Sequence, residues 1–182
     1  MDILITKRLT LRPPLEVDAE AITEALQDKT VTRNLTGVPH PYHLADAHKW
    51  ISENCVAANR LVLTIHRQKL IGSVGLRPAE GALELGYWLL REQWGQGIIT
   101  EAARATLAYG FRQFGCESVT AGAYEDNPAS LAVLAKLGFE KTGEVKEHFC
   151  PTRDETAPCE RLVLTRTRFE NRFGGLDDAE AA

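Results

Sequence analysis

Two glycines, Gly95 and Gly97, stand between an apolar stretch that ends at Leu90 and a long amphipathic segment from Ile98 to Phe114. Glycine has no Cβ, so the backbone at such a turn can come close to a ligand. The first turn of the following helix offers free N–H groups and a positive dipole end, against which a phosphate or pyrophosphate can rest. The neighbouring residues sort the ligand classes. A nucleoside-triphosphate loop requires Gly-Lys-Ser/Thr, which Gln96-Gly97-Ile98 does not supply. A dinucleotide fingerprint requires a third glycine where Thr100 stands, and it opens a run of repeated strand–helix units, whereas this turn falls mid-chain. Coenzyme A is the third class. A turn that packs a helix and binds nothing is the fourth reading.

The elements around the turn follow from periodicity. Arg8 to Arg12 alternates as a strand, and Pro13-Pro14 stops it. Asp18 reads as the cap of a helix ending near Lys29, a loop with Gly37, Pro39 and Pro41 follows, and a second helix spans Leu44 to Ala58. Arg60 to His66 and Leu70 to Leu76 form a hairpin, and Leu83 to Leu90 is a further strand. From Ile98 to Phe114, Ile99, Ala103, Leu107, Phe111 and Phe114 share one helical face, and Gly115 ends it. Ser118 to Tyr124 alternates again. Asn127-Pro128 is a cap and first-turn pair for a short helix that stops at Gly138. Phe139 to His148 and Glu160 to Arg168 are expected as two strands around a polar loop, with a frayed end from Gly174. The sum is a mixed sheet with helices inserted between strands, an α/β or α+β domain whose crossover from Leu83 to Tyr124 should be right-handed.

Composition narrows the classes. The chain has 182 residues, 44% of them apolar, enough for one domain with a substantial core. A net charge of −4 gives no electrostatic footprint for nucleic acid. No apolar run reaches the length of a bilayer span, and the N-terminus lacks the apolar core of a signal peptide. Cys55, Cys116, Cys150 and Cys159 form no CxxC pair, which favours reduced thiols and a cytoplasmic protein, although Cys150 and Cys159 flank the polar loop and could approach each other. The five histidines do not fall at zinc spacings, so no metal is expected.

Four blocks in order resemble a known family. They are Thr6-Lys7-Arg8-Leu9-Thr10-Leu11-Arg12-Pro13, Leu85-Gly86-Tyr87-Trp88-Leu89, Trp94-Gly95-Gln96-Gly97-Ile98-Ile99-Thr100-Glu101-Ala102, and Asn127-Pro128-Ala129-Ser130 with Leu137-Gly138-Phe139. Together they are similar to the GNAT N-acetyltransferases of the RimJ/RimL type over roughly residues 6 to 168. The resemblance implies a domain over residues 1–170 with a disordered tail at 171–182. It implies a single mixed, mostly antiparallel, splayed sheet flanked by helices on both faces. Acetyl-CoA would lie in the resulting V-shaped cleft as co-substrate. Its pantetheine arm would pair with backbone near Trp88, Leu89 and Leu90. Its pyrophosphate would rest on the amides of Gly95, Gln96, Gly97, Ile98, Ile99 and Thr100. The sequence departs from the family pattern in two places: Trp94 replaces Gln or Arg, and Ile99 takes the final Gly/Ala position, narrowing the room beside the phosphates.

Acetyl transfer to an amine has three demands. The ammonium must lose a proton, the oxyanion needs a donor, and the departing thiolate needs a proton or hydrogen bond. The family places a carboxylate at Glu84, where apolar neighbours would raise its pKa; Glu147 and His148 are rival bases, and a strand glutamate paired with an arginine is the plain alternative. Ser130 matches the serine near the CoA sulfur and is expected to act as the acid, with Asn127 bonding backbone or pantetheine; locally, Asn127 and Ser130 could simply cap their helix. Tyr124 is an alternative acid. Arg91, Arg104 and Lys136 could meet phosphates, and the loop holding His40, Tyr42 and His43 would line the acceptor pocket. The acceptor is a protein N-terminal α-amine, as in RimJ/RimL, or a small amine such as a polyamine or antibiotic, for which Asp46, Glu53 and Glu84 could supply charge. A CoA-binding module without turnover is the non-enzymatic reading. The family resemblance also allows a homodimer.

Overall fold

A computed structural model describes residues 3–54, 59–79, 81–176 and 180–181. Among them, nine strands form one sheet in the order β7-β8-β6-β5-β4-β3-β2-β1-β9. In chain order they are β1 (Leu4–Ile5), β2 (Thr10–Arg12), β3 (Leu61–Arg67), β4 (Lys69–Ala79), β5 (Ala82–Leu89), β6 (Ser118–Tyr124), β7 (Glu140–Cys150), β8 (Glu155–Thr165) and β9 (Glu180–Ala181). The helices are α1 (Ala19–Gln27), α2 (Lys29–Thr32), α3 (Leu44–Asn54), α4 (Ile98–Phe114), α5 (Pro128–Leu137) and α6 (Arg166–Phe173). The pairings are antiparallel except β5 with β6, the two strands that α4 joins.

Helices cover both faces. On one face α4, α5 and α6 bury Ile98, Ala102, Leu107, Phe111, Leu134, Leu137 and Phe169 against the sheet's Leu63, Ile65, Val74, Leu76, Val119 and Leu164. On the other, α1 to α3 bury Ile22, Leu26, Val31, Ala47 and Ile51 around Leu70, with Tyr42 and half-buried Trp88. The central hydrophobic pattern was therefore a faithful guide. α4, β6 and α5 have the bounds expected from periodicity and from the Gly115 and Gly138 stops, both in the left-handed region.

Two expectations are corrected. Asp18 does not cap α1 with its side chain. Its carboxylate instead takes both Arg12 Nη atoms at 2.7 Å and the Leu15 amide at 2.8 Å, closing a 3₁₀ turn over Glu16–Asp18. The polar loop before Glu160 is mostly strand, because β7 and β8 meet in a tight turn at residues 151–154 and Ala157 and Cys159 are buried. Cys150 and Cys159, expected as reduced thiols that could approach each other, are free thiols in one buried cluster with Tyr124 and Ala157, and register pairs Cys150 with Glu155 and Cys159 with Lys146. α6 continues past residue 170 to Phe173, capped by the Thr165 hydroxyl, which accepts the Arg168 amide. The last four residues of the helix expected over Leu44 to Ala58, and residues 177–179 and 182 of the expected tail, lie outside the described residues, while residues 180–181 of that tail pair with β1 as β9. No helix among those described is long and apolar enough to cross a membrane.

Candidate active site

The site begins where the sheet splits. β5 and β6 pair only through Leu83–Val119, Glu84–Thr120 and Leu85–Ala121, although β5 continues to Leu89 and β6 to Tyr124. Beyond Leu85 the strands diverge, and β5 keeps β4 on its other edge. The Leu90 amide donates to Ile71 O at 2.8 Å, so alternation directs the backbone groups of Trp88 and Leu90 toward β4 and those of Tyr87 and Leu89 into the gap. Of the three positions expected to meet a pantetheine, Leu89 alone presents backbone there, and Tyr87 joins it. Trp94 explains its own departure from the family pattern: its indole Nε1 donates to Leu89 O at 2.9 Å, taking up one carbonyl that the split exposes.

At the mouth of the gap, Gly95 and Gly97 both adopt left-handed φ, 74° and 72°, a region that costs any Cβ-bearing residue. Gly97 is the N-cap of α4 and has no side chain to cap with. The caps of α5 and α6, by contrast, are occupied by Asn127 and Thr165. The amides of Ile98, Ile99 and Thr100, all lining the cleft, thus have neither an intrahelical acceptor nor a capping oxygen. Ile99 itself is buried in the main core.

The first sequence block turns out to brace this turn. Arg8 Nη1 donates to Gln96 O at 2.9 Å, and its Nε meets Glu101 Oε2 at 2.6 Å. Thr6 Oγ1 and the Arg8 amide donate to Glu101 Oε1 at 2.6 and 3.0 Å. Burial alone would push the Glu101 carboxyl up, but these hydrogen bonds outweigh it and hold the group below its ordinary range. A carboxylate one turn into α4 is thereby neutralised beside the anion-ready amides. Arg8 and Arg67, whose Nη1 reaches Gln96 Oε1 at 3.3 Å, were missed as site residues. The signal for Arg8 was its place in the first block. Of the expected cations, Lys136 lines the cleft, whereas Arg104 lies 4.7 Å over the Phe173 ring and Arg91 is exposed in the turn after Leu90.

The cleft encloses about 700 Å³ and reaches from this mouth past α5 to α3. At its α5 wall, Asn127 Oδ1 accepts the Ser130 amide at 3.1 Å, so Asn127 caps the helix as its type predicts. Ser130 Oγ stands 2.8 Å from the Tyr87 hydroxyl across the gap. On the α1–α3 side the floor is bare, with Gly75 and Gly86 register partners on β4 and β5. Glu84 faces this floor, but its carboxylate is ion-paired with Arg161 of β8, a side chain only 11% exposed. The carboxylate is thus already engaged by a guanidinium. His148 lines the cleft from β7, while Glu147, its neighbour on the same strand, is exposed and does not. Tyr124 is fully buried under the Arg153 guanidinium, and burial raises its phenol. Tyr42 lines the acceptor side and His40 and His43 do not. Burial raises the Cys159 thiol to about 11, so it stays protonated. Among the described residues no three His, Cys, Asp or Glu side chains gather as a metal site.

Comparison with known proteins gives this geometry its context. The family described as Acetyltransferase (GNAT) domain matches residues 8–140. "Uncharacterized N-acetyltransferase p20" of Bacillus licheniformis is 29% identical over 156 residues, covering 81% of this chain and 88% of that protein. Mycobacterium smegmatis RimJ, solved in complex with CoA-disulfide, superposes with a TM-score of 0.76 at 19% identity, covering 99% and 95% of the two chains. Spermidine N-acetyltransferase from Vibrio cholerae, in complex with CoA and spermine, does so at 0.76 and 17%, covering 90% and 99%. A split parallel pair, an uncapped helix after two left-handed glycines and a family match over most of the chain converge: the protein belongs to the GNAT family and is an acetyltransferase.

Proposed function

We propose that the chain transfers acetyl from acetyl-CoA to the α-amine of a protein or peptide N-terminus. The observation that carries the donor half is the divergence of β5 from β6 beside the uncapped amides of α4. The diphosphate of CoA meets the amides from Gly97 to Thr100, and the pantetheine runs along the free edge at Tyr87 and Leu89. The thioester then reaches the level of Ser130, whose hydroxyl protonates the departing thiolate.

The acceptor half rests on charge. A polyamine carries several ammonium groups and needs several unpaired carboxylates. Here, of the three carboxylates lining the cleft, Glu84 is held by Arg161 and Asp46 gives one oxygen to the His43 amide at 2.8 Å, which leaves Glu53 as the one with no partner among the described residues. A single α-amine asks for less. It titrates near 8 rather than above 10, so a weak base can strip it. His148 fills that role in this reading, as the cleft imidazole, and Glu84 fixes Arg161 at the floor rather than moving the proton.

The test is thiol release from acetyl-CoA with N-terminal peptides and with spermidine as acceptors. Peptides turn over with kcat/KM well above that of the polyamine, by about tenfold or more, equivalent to about 1.4 kcal/mol. Turnover confined to spermidine overturns the acceptor, and absence of turnover with every amine overturns the transfer.

A further inference from the structure

The geometry points to Tyr87 as the residue that positions the acid: its phenol donates to Ser130 Oγ and so leaves the serine's own proton free for the CoA sulfur. This rests on the role given to Ser130 above and adds a second residue to it. Tyr87 stands on β5 and Ser130 in the first turn of α5, on opposite sides of the split, and their oxygens are 2.8 Å apart. Either could be the donor by distance alone, so the surroundings decide. Ser130 has one hydroxyl proton and two lone pairs, and its amide is already spent on Asn127. A serine that donated to the phenol would have no proton left for a thiolate. The reverse direction satisfies both groups. The other acceptor near the phenol, Ser130 O at 3.4 Å, lies at the edge of hydrogen-bond range. Burial pushes the Tyr87 phenol up to about 12, against the lowering effect of Ser130, so it remains a donor throughout the working pH range.

The step balances without a proton from Tyr87. The amine lone pair forms the C–N bond and the nitrogen's surplus proton passes to the base, the C–S bond breaks with its electron pair on sulfur, the Ser130 proton moves to that sulfur, and the proton held by the base returns to Ser130 through solvent. As Ser130 Oγ gains negative charge, the phenolic O–H shortens its bond to it, a charge-assisted contact that exists only as the thiolate leaves.

A double-mutant cycle on acetyl transfer tests this. Tyr87→Phe is expected to lower kcat about tenfold with KM for acetyl-CoA little changed. Ser130→Ala is expected to lower it more, and Tyr87→Phe added to Ser130→Ala to cost nothing further. Additive losses mean that Tyr87 acts independently and overturn the inference. Full activity in Tyr87→Phe beside a loss in Ser130→Ala overturns it too, while leaving the role of Ser130 intact; full activity in Ser130→Ala removes that role itself. Should Tyr87→Phe not fold, a fluorinated tyrosine at position 87 keeps the shape and ionises at lower pH. The alkaline limb of kcat then moves down in pH, and an unmoved limb overturns the assignment.

Discussion

Arg161 of β8 crosses Gly122 of β6 to reach Glu84 of β5. The crossing depends on the missing side chain between them: a Cβ at Gly122 would lie 3.1 Å from both Arg161 Nη1 and Cys159 Sγ. The glycine therefore sets the floor of the acceptor half of the cleft. Gly122→Ala should push the guanidinium off Glu84 and destabilise the fold by about 1 kcal/mol, the low end of overpacking, because the glycine faces the open cleft. Urea denaturation measures it, and Cys159→Ala in the same background should recover part of the loss.

The ion pair separates two roles that resemblance assigns to one residue. Glu84→Gln keeps a hydrogen-bonding oxygen near Arg161 but removes its countercharge, so stability should fall, by about 1–2 kcal/mol given the partial exposure of Glu84. The acid limb of the pH profile of kcat/KM should persist. His148→Gln should do the opposite: little change in stability, kcat/KM lower by about 10²-fold or more, and the acid limb gone. If Glu84→Gln alone erases that limb, Glu84 is the base.

Acid stability should report on the braces around the first sequence block. Burial alone would raise the carboxyls of Asp18 and Glu101, but hydrogen bonds and charge from Arg12 and Arg8 outweigh it. Both groups therefore lie below their ordinary values of 3.8 and 4.5. In the folded state they bind protons less readily than in the unfolded chain. The stability they contribute is thus fully present above that range and is lost as pH falls through the lower folded values. Denaturation midpoints between pH 3 and 7 should show it as a falling acid limb, and Asp18→Asn should be less stable at neutral pH with a shallower limb.

The legible part of the fold is the part where one local signal has no rival. α4 has a clean helical period and a glycine stop, and α5 has Asn-Pro at one end and glycine at the other, so both were readable to the residue. α6 carried equal signals: Thr165 before it, Phe169 and Phe173 four apart, an Arg166–Glu170 pair at 2.8 Å and Gly174 after it. They were hidden because the alternating β8 pattern runs straight into them. The site divides in the same way. The glycine turn was legible because backbone conformation is encoded locally. That Arg8 would brace it, that Arg161 would claim Glu84, and that Leu90 would face β4 are matters of strand order and register, which no local pattern contains.

Because α6 packs into the core, the chain should not tolerate trimming soon after β8. Phe169 is fully buried, with its ring centroid 5.5 Å from Phe111 and 4.9 Å from Phe173. Phe169→Ala should cost roughly 3–5 kcal/mol. Deleting residues 171–182 removes Phe173 and Leu176 from the same cluster and should lower the melting temperature while leaving secondary-structure content nearly unchanged. A truncated chain as stable as the full one would show that α6 adds nothing past Glu170.

The cofactor assignment can be tested without turnover. CoA bound to the folded state alone stabilises it by RT ln(1 + [L]/Kd), about 2.7 kcal/mol at a hundredfold excess over Kd, so CoA should raise the melting temperature in proportion to the logarithm of its concentration. Gly97→Ala forces a Cβ into φ 72°, at a cost of about 1–2 kcal/mol, or rotates the peptide and swings the first amides of α4 away from the anion. Either outcome should weaken CoA binding measured by calorimetry. Removing the diphosphate tests the same contact from the ligand's side. Pantetheine lacks it, so it should bind the native protein and Gly97→Ala with equal, weak affinity. If Gly97→Ala weakens pantetheine as much as CoA, the turn shapes the cleft as a whole and does not hold the diphosphate.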